Sequence, residues 1–331
     1  MKSITYNHYI AIDWSLKNMA IARMTLKSNK IHVIDVPSDL AELQYYLKNL
    51  KGSKILTIEE TTPSQWLFTE LRDFVDKILV CDPYRNRLLS DGPKTDKIDA
   101  SKLVQLLRAD MLKEVYHSNH DFLYLRRIVS GYEDLIKSCV RLKNQRAALL
   151  RTTGYKKRDI DIELLPGDQF ILDNIDRQIH LCEQQRKIYK EEFLKIADKH
   201  KEIRHQQAIP GIGLVNAVKI VARIVSPFRF PDKGHFLSYA GLIKLDKISG
   251  GRSYGKRKPR FCRMMKAVYK AAVMAAIGND NPINDYYRYL IEHKNYVEHI
   301  ARHKTCRRLA ILSYGVFKSG KPFKGKLIRQ N

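Results

Sequence analysis

The sequence predicts an α/β domain at the N-terminus, followed by a long α-helical region and a mainly α-helical C-terminal domain. Within residues 1–115, short stretches rich in β-branched and aliphatic residues alternate with amphipathic stretches, which is typical of strands alternating with helices. Within residues 116–202, apolar residues recur at a spacing of three and four, the pattern of long helices that pack along a seam. Residues 203–331 contain apolar and alanine-rich stretches of helical length. We therefore place the domain boundaries after residues 115 and 202.

Three consecutive strands begin the α/β domain, and alternating helices and strands follow them. The predicted strands are residues 8–15, 19–26, 30–36, 54–60 and 77–82, and the predicted helices begin at Ser38 as N-cap, at Pro63 and at residue 96. This order is that of an RNase H-like fold and also of the lobes of actin-like ATPases. Such an ATPase needs a glycine-rich phosphate loop after the first strand, whereas WSLK occupies residues 14–17. We therefore expect the RNase H-like fold.

Two long helices with coiled-coil seams are predicted in the middle of the chain. The pattern leaves two arrangements open, a hairpin within one chain or a pairing of two chains. In each seam one arginine, Arg146 or Arg186, fills a position where an apolar residue is expected. The seam residues are Leu125, Ile128, Tyr132, Leu135, Cys139, Leu142 and Leu149 in the first helix, and Leu172, Ile175, Ile179, Cys182, Tyr189, Phe193 and Ile196 in the second.

A glycine-containing turn begins the C-terminal domain. The motif IPGIG at residues 209–213 precedes the apolar stretch LVNAVKIVARI. Such a turn between short helices is typical of helix-hairpin-helix modules, in which backbone N–H groups face a DNA phosphate. Gly211 and Gly213 are then nucleic-acid-binding residues. A plain tight turn is an equally good interpretation.

The charge of the chain indicates a polyanionic partner. Lys and Arg number 60 against 35 Asp and Glu, which gives a formal net charge of +25. Nucleic acid is the usual partner for such an excess, through phosphate contacts and counterion release. The five cysteines are widely scattered, so neither a zinc knuckle nor a disulfide framework is indicated. With neither a membrane-spanning run nor a signal peptide in evidence, we expect a cytoplasmic protein without a membrane partner.

Four acidic residues form a candidate metal site. Asp13 and Glu59 lie at the ends of predicted strands, where an unpaired carboxylate is costly to bury. Asp96 and Asp99 are three residues apart on a predicted helix and therefore share a face. Oxygen ligands from several elements suit two hard divalent cations, here magnesium or manganese in its place, which clamp a phosphate during phosphoryl transfer. Glu60 competes with Glu59, but strand alternation puts them on opposite faces, and we choose Glu59. Each carboxylate alone has a structural interpretation as well.

Six motifs in order carry a resemblance to a known family: AIDWS, TIEETT, KTDKIDA, AIPGIG, FLSYAGL and SYGVFKSGKPF. The chain resembles the insertion-sequence transposases, which have a RuvC-like DEDD domain at the N-terminus and a serine-bearing transposase domain at the C-terminus. Piv-type DNA invertases are relatives of this family. The resemblance implies a magnesium-dependent DNA recombinase, with the four carboxylates as its catalytic metal ligands.

The resemblance also implies a nucleophilic serine shortly after the AGL segment. The matching residue in KISGGRS is Ser249, with Ser253 as the second candidate. Attack by this serine produces a phosphoserine link to DNA. Without the family, an exposed Gly/Ser loop is the plainer interpretation.

The implied partners are donor and target DNA, a structured guide RNA that bridges them, and further copies of the chain as a dimer or tetramer in the bacterial nucleoid. A basic run beside Ser249 suits phosphate contacts. Tyr254 and Phe261 within it are either base-stacking groups or core residues. The run consists of Arg252, Lys256, Arg257, Lys258, Arg260 and Arg263.

Two other functions fit the same residues. One is a structure-selective nuclease or junction resolvase, in which water attacks the phosphate and Ser249 is idle. The other is a nucleic-acid-binding scaffold without catalytic activity, in which Asp13 is dispensable.

Overall fold

A computed structural model describes residues 5–83, 95–117, 122–156, 159 and 163–325. Lys94, the first residue of the KTDKIDA motif, lies outside the described residues. Packing divides the chain into two compact units, Met1–Asn119 and His120–Asn331. Among the described helices, none has both the length and the apolar character needed to cross a membrane.

The first unit is built on a five-stranded sheet with the order β3-β2-β1-β4-β5. β1 (His8–Trp14) pairs antiparallel with β2 (Asn18–Thr25), which pairs antiparallel with β3 (Ser28–Pro37). On its other side β1 pairs in parallel with β4 (Lys54–Glu59), and β4 pairs in parallel with β5 (Lys77–Cys81). The five predicted strands are therefore present.

Helices cover both faces of this sheet. Leu43 and Leu47 of α1 (Leu40–Asn49) and Leu67 and Leu71 of α2 (Ser64–Leu71) pack with Ile10 and the other residues on one face. The alternate strand residues pack on the other face against α3 (Asp96–Arg108). This layering and strand order fit the RNase H-like fold that the sequence predicts for the N-terminal domain.

The N-cap of α1 is Asp39, and our prediction of Ser38 is wrong. The Asp39 carboxylate accepts hydrogen bonds from the N–H groups of Ala41 and Glu42. The Ser38 hydroxyl is engaged elsewhere, because it donates to the carbonyl oxygen of Ser15 at 2.8 Å. Both residue types are favoured at N-caps. Because Ser38 is hydrogen-bonded to Ser15, the cap is Asp39.

The second unit begins with two long helices that pack along each other within one chain. These are α4 (Leu123–Thr152) and α5 (Pro166–Lys199). The Tyr132 ring lies 5.3 Å from the Phe193 ring, between centroids. Arg146, which interrupts the apolar seam, donates from Nε to Asp176 Oδ1 at 2.7 Å. The hairpin is thus the arrangement observed, while the coiled-coil winding of the pair stays a prediction.

The remainder of the second unit is mainly helical, with one β-hairpin that the sequence patterns did not predict. Its elements are α6 (Lys201–Gln207), α7 (Leu214–Ile224), α8 (Lys233–Tyr239), β6 (Leu245–Ser249), β7 (Arg252–Arg257), α9 (Arg263–Ala276), α10 (Pro282–Glu292) and α11 (Glu298–Ser319). The hairpin escapes prediction because nearly all of its residues are exposed, so that no apolar alternation marks either strand.

The turn between α6 and α7 contains a glycine required by packing. Gly211 has a φ of +86°, and a Cβ there would lie 2.1 Å from the carbonyl oxygen of Ala272 in α9. Close approach of two backbones therefore explains this glycine without any ligand. Gly213 is the N-cap of α7, and a Cβ there would meet open space. The helix-hairpin-helix interpretation stays a prediction.

Candidate active site

Asp13 and Glu59 lie side by side at one edge of the sheet. Glu59 is the last residue of β4, and Asp13 is the last but one of the neighbouring parallel strand β1; the register pairs Ile12 with Ile58 immediately before them. Ala11, two residues before Asp13, faces α3. Since side chains alternate along a strand, Asp13 and Glu59 both point to the α3 side and Glu60 to the other.

Asp96 and Asp99 occupy the first turn of α3. Thr95 caps this helix, because its hydroxyl accepts from the N–H of Ile98 at 3.3 Å. The helix N-terminus favours negative charge, and the spacing of three puts both carboxylates on one face. Lys97 between them is directed away, with its Nζ 3.7 Å from Asp35 Oδ2.

The four carboxylates share one electrostatic environment. Burial raises the pKa of Asp13 to about 6, and the charges of Asp96, Glu59 and Asp99 contribute to this rise. Burial, followed by the charge of Asp99, also raises the pKa of Glu59. In the part of the chain that the structure describes, none of the four carboxylates forms an ion pair. Among the described residues, therefore, no ion pair with a cation offsets their repulsion.

The four carboxylates are chemically suited to bind a hard divalent cation. All of their ligating atoms are carboxylate oxygens, which magnesium and manganese prefer. Among the described residues, however, no three His, Cys, Asp or Glu side chains are already close enough to ligate one ion. The carboxylates are thus close enough to interact electrostatically, and their side chains have to rotate before they can ligate one ion.

Ser249 lies in the second unit, at the turn of the β6–β7 hairpin. It pairs with Arg252 across Gly250 and Gly251, whose φ values of 54° and 76° fit a two-residue type I′ turn. Ser249 is exposed. Ser253 pairs with Ile248 instead, so the two candidate serines point to opposite faces of the hairpin.

The predicted basic run follows Ser249 along β7 into α9. All six of its cations are exposed. Lys256 Nζ lies 3.9 Å from Asp246 Oδ1 across the hairpin. Tyr254 is 68% exposed. Phe261 instead packs over Gly241, where a Cβ would meet its ring at 2.4 Å, which favours the core interpretation for this residue.

The sequence patterns did not predict a basic and aromatic groove between α10 and α11. The signal was present in DYYRYL at residues 285–290 and ARHKTCRR at residues 301–308. Apolar periodicity does not identify tyrosine and arginine in a groove, because both residue types are as common on protein surfaces as in binding sites.

Two family models match the chain. An IS110-type DEDD transposase model, described as a transposase, matches residues 10–154 and includes all four carboxylates. A second one, described as the transposase IS116/IS110/IS902 family, matches residues 204–288 and includes Ser249 and the basic run. A search of curated proteins gave no match.

Proposed function

We propose that this chain, an insertion-sequence DNA transposase with an N-terminal DEDD domain, cuts and rejoins DNA through a phosphoserine link at Ser249. A DEDD domain implies dependence on a divalent metal, which we propose to be magnesium, or manganese in its place. The proposed ligands are Asp13, Glu59, Asp96 and Asp99. The observation that carries the proposal is their shared negative field at one edge of the sheet.

The carboxylates are positioned to hold cations against a DNA phosphate. Two of them lie near the ends of adjacent strands, and two lie on the first turn of a helix that packs on those strands, so each backbone position is fixed. With a pKa of about 6, Asp13 is ionised at neutral pH and presents its oxygens as ligands. Bound divalent cations would neutralise charge on the attacking and leaving oxygens.

The serine step exchanges one phosphodiester for another. The Ser249 oxygen forms a bond to phosphorus and loses its proton, while the bond from phosphorus to a deoxyribose oxygen breaks and that oxygen takes up a proton. Rejoining is the reverse attack by a deoxyribose hydroxyl, so it needs no nucleotide cofactor. Exposure of Ser249 at the tip of a hairpin supports this role, because a phosphate of duplex DNA can reach it.

The basic run supports DNA contact beside Ser249, since each exposed cation adds to phosphate binding. We further propose that a structured RNA from the element's non-coding end guides the choice of donor and target. Because recombination joins four DNA ends, the active form is proposed to be a dimer or tetramer. Strand transfer that requires this RNA, and mass measurement of the protein on DNA, test these two points.

A carboxylate-dependent nuclease is the second candidate. The observation that favours it is that the Ser249 hydroxyl has no hydrogen-bond partner among the described residues to activate it. In this function the attacking group is water, and the product is a free DNA end.

A covalent-adduct assay separates these two functions. The protein is incubated with labelled DNA and magnesium, denatured, and examined for DNA that migrates with the protein. We expect Ser249→Ala to abolish the adduct and strand transfer, whereas Ser253→Ala, on the opposite face of the same hairpin, retains both. Cleavage that persists in Ser249→Ala but is lost in Asp13→Asn establishes the nuclease instead. Glu60→Gln is the matched control for Asp13→Asn, since it removes a carboxylate next to the site.

A further inference from the structure

We infer that a groove between α10 and α11 binds an unpaired nucleic-acid strand, stacking its bases on tyrosine and pairing its phosphates with arginine and lysine. The inference rests on the proposed function only in taking nucleic acid as the ligand. The α10–α11 groove is lined by Pro282, Asp285, Tyr286, Arg288, Tyr289, Leu290, Glu292, His293, Lys294, Tyr296, Lys304, Arg307, Arg308, Ile311 and Gly325.

The groove is large enough for several nucleotides. Its volume is about 1250 Å³, above the range of about 300–1,000 Å³ that is usual for small-molecule sites. All of α11 and the end of α10 lie beyond residue 288, where the second family match ends. The groove is also built from other elements than the β6–β7 hairpin that carries Ser249.

Aromatic rings in the groove form a stacking platform. Tyr289 and His293 are one helical turn apart, with centroids separated by 5.3 Å and planes inclined by 24°. Tyr289 is 42% exposed, so an unpaired base can extend this stack. The Lys304 ammonium lies 4.4 Å from the centroid of the half-buried Tyr296 ring, which puts a cation directly beside a second ring.

The charge of the groove favours a polyanion. Its lining includes five Lys and Arg residues against the two carboxylates of Asp285 and Glu292. Arg307 is exposed on α11. An acidic peptide can pair with these cations, but it has no bases that stack on the rings of Tyr289 and His293. A duplex satisfies them too, but its base faces are covered by neighbouring bases, so Tyr289 contributes little to binding it.

Fluorescence anisotropy with the full-length protein tests the inference. The probes are labelled oligothymidylate and oligouridylate of about twelve nucleotides, within the usual site sizes, and a DNA duplex of equal length. Tyr289→Ala is expected to raise the Kd for the single strands about fivefold or more, because stacking on one aromatic ring contributes that much. Tyr289→Phe keeps the ring and is expected to bind as the wild type does. Tyr45→Ala, at an exposed tyrosine of α1, is the control.

Salt dependence separates the two kinds of contact. Arg307→Ala is expected to reduce the slope of log K against log salt by about 0.7, the value of one phosphate contact with a single strand. Tyr289→Ala is expected to leave that slope unchanged, because stacking releases no counterions. If the loss in Tyr289→Ala is larger for oligouridylate, the strand is RNA; if it is larger for oligothymidylate, the strand is DNA.

Two results would overturn the inference. One is wild-type binding of both single strands by Tyr289→Ala, and the other is an equal loss of duplex binding. The thermal midpoint of each variant verifies folding, and an unchanged salt slope in Arg307→Ala overturns the inference if Tyr289→Ala is unstable. Failure here is distinguishable from failure of the proposed function. Ser249→Ala is expected to bind single strands normally, whether or not it abolishes the covalent adduct.

Discussion

The burial of the Asp13 carboxylate, with the charges of Asp96, Glu59 and Asp99 added to it, predicts that Asp13→Asn stabilises the metal-free protein at neutral pH. The pKa of Asp13 rises from its ordinary value of 3.8 to about 6 in the fold. This difference of about two units corresponds to about 3 kcal/mol at most. Asp13 is half-buried, and solvent screening reduces the expected effect to about 1–2 kcal/mol.

The sign of the pH dependence follows from the direction of the shift. The folded protein binds a proton on Asp13 more tightly than the unfolded chain does, so stability falls as pH rises from about 4 to about 6. Above pH 6 the ionised carboxylate destabilises the fold by the full amount. The advantage of Asp13→Asn should therefore be small near about pH 4 and complete at about pH 7.

Urea unfolding in EDTA at several pH values measures this difference, with Glu60→Gln as the control. Added magnesium is expected to stabilise the wild type by mass action and to stabilise Asp13→Asn much less. The reasoning is refuted if wild type and Asp13→Asn have the same pH dependence in EDTA. Equal stabilisation of both by magnesium would refute the assignment of Asp13 as a ligand.

Three further predictions concern the helices and the hairpin. Asp39→Ala is expected to reduce the free energy of unfolding by about 1 kcal/mol, measured in urea, because α1 loses its N-cap. Gly211→Ala should cost more than about 1 kcal/mol in the same assay, since its φ is positive and its Cβ meets the backbone of α9, whereas Gly213→Ala should cost less. Arg252→Ala is expected to reduce the salt slope of duplex DNA binding by about 0.9, measured by anisotropy, because one phosphate contact is lost.

The placement of the four carboxylates was predictable because it depends on local periodicity. Alternation along β1 and β4 puts Asp13 and Glu59 on one face, and strands that run in parallel end at one edge. The spacing of Asp96 and Asp99 likewise needs only the geometry of a helix. How closely the four carboxylates approach one another could not be predicted, because that depends on side-chain rotation and on how α3 packs over the sheet.

Features decided by distant contacts were not predictable. Ser38 and Asp39 are both good N-caps, and the bond from Ser38 to the carbonyl of Ser15 selects Asp39. Arg146 interrupts a hydrophobic seam because its side chain donates a hydrogen bond to Asp176, which lies on a different helix. The β6–β7 hairpin has no buried face, so the only local sign of it was the pair of glycines at its turn.

The proposed metal ligands and the proposed nucleophile differ in how they are held. The carboxylates lie on strands and a helix whose other residues fill two hydrophobic layers, so their backbone positions are set before any ligand binds. Ser249 lies on a hairpin in which every residue of β7 is exposed. A hydroxyl held by so few contacts is not aligned by the protein alone, so under the proposed mechanism we expect bound DNA to align it. We therefore expect the proposed serine attack to depend on bound DNA, whereas the backbone of the carboxylate site stays in place without it.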